Sequence, residues 1–118
     1  MKVTAMDLEQ KGACKDQVER FRELFGEGPI TITAALCMEH PEFDYNWAAR
    51  HLLPAALRAK FDCRQAVLWT KRDHQEAVLW AEYGPVECAR LRAECAVLWA
   101  ELDRRCAVLF GTLAEKVP

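Results

Sequence analysis

Serine is absent from all 118 residues. That removes the hydroxyl nucleophile of Ser-His-Asp acyl-transfer chemistry. No apolar run approaches the roughly 20 residues that span a bilayer. The opening stretch, MKVTAMDLEQKGACKDQ, lacks an apolar h-region. A cytoplasmic protein is therefore expected. Neither sign of charge is in large excess: the net formal charge is −2 and the pI is near 5.9. Generic nucleic-acid binding runs on surplus Lys and Arg, so direct nucleic-acid contact is not expected. A DNA mimic would need far more acid. There is no Gly-rich phosphate loop, no HExxH and no CxxC. What is present is globular: 52% of residues are hydrophobic and 29% charged. The length suits one domain.

The six cysteines stand at 14, 37, 63, 88, 95 and 106. In a chain without an export signal they are expected to be reduced. Cys88, Cys95 and Cys106 share one helical face but lie too far apart along it to bridge. The stretch Cys37-Met-Glu-His40 has the spacing of half a metal site, but no second half follows, since His51 and His74 stand alone. Cys14 precedes a helix, a setting in which reactive thiols occur, yet no His is placed beside it by sequence. No metal site, cofactor or catalytic residue is expected.

The chain divides at Pro54. Residues 1–54 read as a head of short elements. Residues 2–4 and 30–32 are its β-like stretches, expected to pair as a minimal two-stranded ribbon. Residues 6–11 read as a short helix ended by Gly12. Lys15 to Phe25 reads as a second, with Val18, Phe21, Leu24 and Phe25 on one side and Gly26 as its stop. Thr33 is an N-cap for residues 34–39, stopped by Pro41, and Asp44 is an N-cap for residues 45–53.

Residues 55–118 are repetitive. The tetrapeptide AVLW occurs at 66–69, 77–80 and 96–99, and AVLF at 107–110. The repeat unit is eleven residues (a hendecad), with one eight-residue unit at 88–95. Eleven residues make nearly three helical turns, so the pattern forms an almost straight stripe on a helix. In the second half that stripe is Leu91, Cys95, Leu98, Leu102, Cys106, Leu109 and Leu113. In the first half it is Leu57, Phe61, Arg64, Leu68, Arg72, Gln75, Leu79 and Tyr83, three of them polar. Gly84-Pro85 interrupts the repeat. The expected architecture is mainly α: a short-helix head, then a helical hairpin with arms 55–83 and 86–115, packed as one domain. The rival is one long helix kinked at residues 84–85.

A guanidinium rarely occupies a core position unless paired. The polar side of the first arm is therefore expected to face outward and bind a partner through Arg64, Trp69, Arg72, Gln75 and Trp80. Arg and Trp are the residues most enriched at interface hot spots. The competing arrangement pairs the two arginines with head carboxylates such as Glu19 or Glu23.

Gly12, Ala13, Cys14, Gln17, Phe21 and Phe25, followed by Trp47, Ala48, Leu52 and Leu53, resemble a family of small bacterial and phage proteins. These share a Gly-Ala-Cys-x-x-Gln-x-x-x-Phe-x-x-x-Phe head, a Trp-Ala-x-x-x-Leu-Leu segment and an Ala-rich eleven-residue tail repeat. Only Ala81-Glu82-Tyr83 keeps the tail motif of that family; AVLW replaces it elsewhere. The family has no assigned reaction. The resemblance implies a phage or mobile-element setting, in which small non-enzymatic proteins resemble inhibitors of host defence such as anti-CRISPR proteins. The expected function is steric blocking of a host protein or ribonucleoprotein complex, by a monomer. The alternative is a structural, self-assembling helical protein, with a homodimer as its simplest form.

Overall fold

The computed structural model describes residues 1–83 and 88–118, and of residues 83, 88 and 89 the backbone alone. Helix accounts for 76% of the described residues, and the rest of the regular structure is one small ribbon. The order is β1 (Lys2–Val3), α1 (Ala5–Gln10), α2 (Lys15–Phe25), β2 (Ile30–Thr31), α3 (Ala34–Glu39), α4 (Tyr45–Leu52), α5 (Ala55–Tyr83) and α6 (Cys88–Ala114). The ribbon is antiparallel, with Lys2 opposite Thr31 and Val3 opposite Ile30.

Local chemistry sets most boundaries in the head. Thr4 and Asp7 form a reciprocal capping box at the start of α1: the Asp7 N–H donates to Thr4 Oγ1 and the Thr4 N–H to Asp7 Oδ2. Gly12 and Gly26 adopt φ of +87° and +71°, which reverses the chain after α1 and α2. Thr33 Oγ1 accepts the Leu36 N–H, and Asp44 Oδ1 accepts the Trp47 N–H, so both expected N-caps are formed. Leu53 is extended before Pro54, as the proline ring requires, and this separates α4 from α5.

The two long helices lie antiparallel, side by side. Gln65 lies beside Cys106, the Trp69 ring against Trp99, and Glu76 beside Cys95. Advance along one arm thus matches retreat along the other, which is a hairpin and not a kinked rod. The expected break at Gly84-Pro85 lies outside the described residues. On α6 the eleven-residue stripe faces inward: Leu91, Leu102, Cys106, Leu109 and Leu113 are buried, with Cys95 and Leu98 half-buried.

The base of the hairpin and the head share one core. Phe61 of α5 and Phe110, Leu113 and Ala114 of α6 pack with Val3, Phe21, Ile32, Cys37 and Tyr45. Helix α3 sits so close to α6 that a Cβ on Gly111 would lie 2.6 Å from Ala34 Cα and 2.8 Å from the Thr33 carbonyl oxygen. Glu115 Oε1 accepts the Ala34 N–H at the same junction. Beyond the head the hairpin continues as a two-helix layer, and the molecule measures 51 × 30 × 24 Å. No described helix is long and apolar enough to cross a membrane.

Candidate functional site

Two helices alone cannot surround an apolar side chain, so the distal hairpin leaves large residues uncovered. The AVLW repeat controls which ones. Its Leu points into the seam, as Leu68, Leu79 and Leu98 show by their half-burial. Eleven residues bring an α-helix back to within about 20° of its starting direction. Trp69 and Trp80 therefore share one side of α5. Trp99 reaches the same side from α6, since its ring meets that of Trp69 edge to face, with centroids 5.5 Å apart. Trp80 is 52% exposed and Trp99 40%. Val67 and Val78 precede the seam leucines and Val97 does so on α6; all three are exposed.

Arg72 was expected to face solvent. Instead it is buried, at 8% exposure. Its guanidinium carbon lies 3.7 Å from the centroid of the Trp99 ring and 4.7 Å from that of Trp69. Nη2 donates to Asp73 Oδ1 at 2.6 Å, and Nη1 lies 3.6 Å from Glu76 Oε2. Two indole faces and two carboxylates thus compensate the buried charge. The rule that excludes charge from cores holds for unpaired groups, and here the partners come from the arginine's own turn and from the opposite arm. The pairing with Glu19 or Glu23 is not seen: Glu19 meets Lys15 and Glu23 meets Arg20. One atom is left over, because Arg72 Nε is buried with no hydrogen-bond partner.

Of the other expected residues, Arg64, Gln75 and Trp80 are exposed and Trp69 is half-buried. The structure brings Trp69 and Arg72 together but leaves Arg64 and Gln75 outside the cluster. It adds Trp99, whose signal in the sequence was its place in the same AVLW unit. Trp69 also borders a groove of about 200 Å³ that lies between residues 41–46 and the side chains of Leu102, Asp103 and Cys106.

The head holds a second feature, an apolar cavity of about 120 Å³ under α2, α3 and α4. Ala13, Cys14, Gln17, Phe21 and Phe25 line it from one side, and Trp47, Ala48 and Leu52 from the other. Eight of the ten residues quoted above for the head and Trp-Ala segments thus line one cavity. Cys37 and His40 also reach the cavity, but not as a ligand pair. His40 Nδ1 lies 3.3 Å from Glu42 Oε1. Burial pushes the Cys37 thiol from its ordinary value of 9.0 up to about 11, so it stays protonated at neutral pH and packs as an apolar group. The Tyr45 hydroxyl is also pushed up, mainly by burial, and it donates to the carbonyls of His40 and Cys37 at 2.5 and 3.2 Å. Among the described residues no group of three or more His, Cys, Asp or Glu side chains is placed to hold a metal ion.

No protein-family model matches the chain, and neither a curated protein nor a solved structure matches it.

Proposed function

We propose that the protein is a non-enzymatic protein-binding module whose contact surface is the Trp face of the distal hairpin. The observation that supports this most is the exposure of Trp80 and Trp99 on one side of a two-helix layer, beside a guanidinium already locked in place. Aromatic side chains contribute much contact area for few rotatable bonds, which makes them the commonest anchors of interfaces. The cage around Arg72 holds Trp69 and Trp99 in fixed orientations, so less side-chain entropy is lost on docking. The partner envisaged is a host protein or ribonucleoprotein complex, and the mode of action is steric occlusion in the host cytoplasm. Taken with the sequence resemblance, the specific reading is an inhibitor of a host defence complex of the anti-CRISPR type, carried by a phage or mobile element. Exposed Trp80 and Trp99 replace Arg64, Arg72 and Gln75 as the centre of the surface.

The test combines binding and biology. A panel of CRISPR-armed bacteria is challenged with a targeted phage, with and without the wild-type protein. Restored plating on at least one type is expected. Trp80→Asp should abolish it while leaving the melting temperature near that of wild type, since losing one hot-spot Trp weakens a complex by about 30-fold or more. Unchanged plating throughout the panel removes the anti-CRISPR reading. Sedimentation at equilibrium separates the self-assembling alternative: a wild-type dimer that Trp80→Asp converts to monomer would establish it.

A further inference from the structure

We propose that the head cavity is a binding site for a small, uncharged, apolar molecule about the size of one aromatic ring. Its volume is about 120 Å³. An apolar cavity of roughly 150 Å³ lined by Leu, Ile and Phe stays dry and takes up benzene in another small protein, so the scale is right for a single ring. The lining comes from four different parts of the fold: Val3 in the ribbon with Ile32 just after it, Phe21 on α2, Leu36 on α3 and Phe110 from the hairpin.

The edge of the cavity says what kind of ligand fits. Several of its polar groups are turned to one another or to the backbone. Gln17 Oε1 accepts the Asp44 N–H at 3.0 Å, and Asp44 Oδ1 accepts the Trp47 N–H. The Tyr45 hydroxyl proton is shared between two backbone carbonyls. A water molecule needs two to four polar partners to be held in such a place, and a charged ligand would lose its hydration without replacement. An apolar ring needs neither, and it regains the dispersion contacts that an empty void forfeits. Entry is from the side where the exposed residues Cys14 and Asp44 border the cavity.

The probe is benzene, titrated into the full chain and followed by methyl and amide NMR. Saturable shifts are expected for Val3, Leu8, Ile32 and Leu36, with the methyls of Val78 and Val97 unmoved. Leu36→Phe places a ring in the cavity and should weaken benzene binding at least roughly tenfold. If Leu36→Phe does not fold by circular dichroism, Ala13→Leu from the opposite wall carries the same expectation. Phenol should bind about fivefold more weakly than benzene, because its hydroxyl gives up hydration on entering an apolar interior. The proposal is overturned if shifts do not saturate, if they centre on Val78, Val97 and Trp80, if filled variants bind as wild type does, or if phenol binds as tightly as benzene.

Discussion

Replacing Arg72 by Glu puts a carboxylate between two indole rings and beside Glu76. The wild-type guanidinium makes two cation–π contacts, each worth about 0.5–2 kcal/mol. It also answers Asp73 and Glu76. All of these are lost in Arg72→Glu, and the new charge faces the electron-rich side of both rings. Leaving an uncompensated charge in a buried site costs about 3–5 kcal/mol. For a protein of this size that lowers the melting temperature by more than roughly 10 °C. Arg72→Met makes the informative contrast. It keeps the stem and the ring packing, loses the cation–π attraction, and removes the orphaned Nε–H, whose desolvation costs about 1–3 kcal/mol. The two effects nearly cancel, so Arg72→Met should fall within about 1 kcal/mol of wild type. Arg64→Glu, at an exposed site, should shift stability by less than about 0.5 kcal/mol. Urea titration and thermal melts by far-ultraviolet circular dichroism measure all three. A melt of Arg72→Glu within about 2 °C of wild type would refute the buried cage. An Arg72→Met variant as damaged as Arg72→Glu would instead show that the attraction of the charge to the rings and carboxylates far outweighs the cost of the orphaned Nε–H.

Two further perturbations test the packing of the head on the hairpin. Gly111→Ala improves helix propensity by about 1 kcal/mol, but its Cβ meets three backbone atoms of Thr33 and Ala34 within 3 Å. Backbone cannot step aside as a side chain can, so the overpacking cost, about 3 kcal/mol or more, prevails and net stability falls by about 2 kcal/mol. A variant as stable as wild type would show that α3 does not touch α6 there. Stability should also fall at alkaline pH. Below pH 9.0 the Cys37 thiol is protonated both folded and unfolded; above it the unfolded chain releases the proton, while the buried thiol holds it to about pH 11. Stability thus drops progressively between those values, and Cys37→Ala should make the fall in melting temperature shallower in that window, leaving the part due to the buried Tyr45 hydroxyl and Cys106 thiol.

Much of the architecture is legible along the chain because local chemistry decides it. Thr33, Asp44, Gly12 and Gly26 act within three or four residues of themselves, and each stops or starts a helix where its side chain, or lack of one, dictates. The inward stripe of α6 follows from the eleven-residue period alone, because a helix returns nearly to its starting direction over that interval. The tertiary structure alone decided the fate of Arg72. Periodicity placed it on the seam, polarity argued it off the seam, and the conflict is resolved only by Trp99, 27 residues away on the other arm. The same holds for Gly111, whose lack of a side chain matters only because α3 docks against it. The head cavity belongs with these, since Phe110 comes to it from the far end of the chain. Spacing along a sequence reports which side of a helix a residue occupies. What stands opposite that side depends on how elements pack, and the cost of burying a charge or leaving a void depends on what stands opposite.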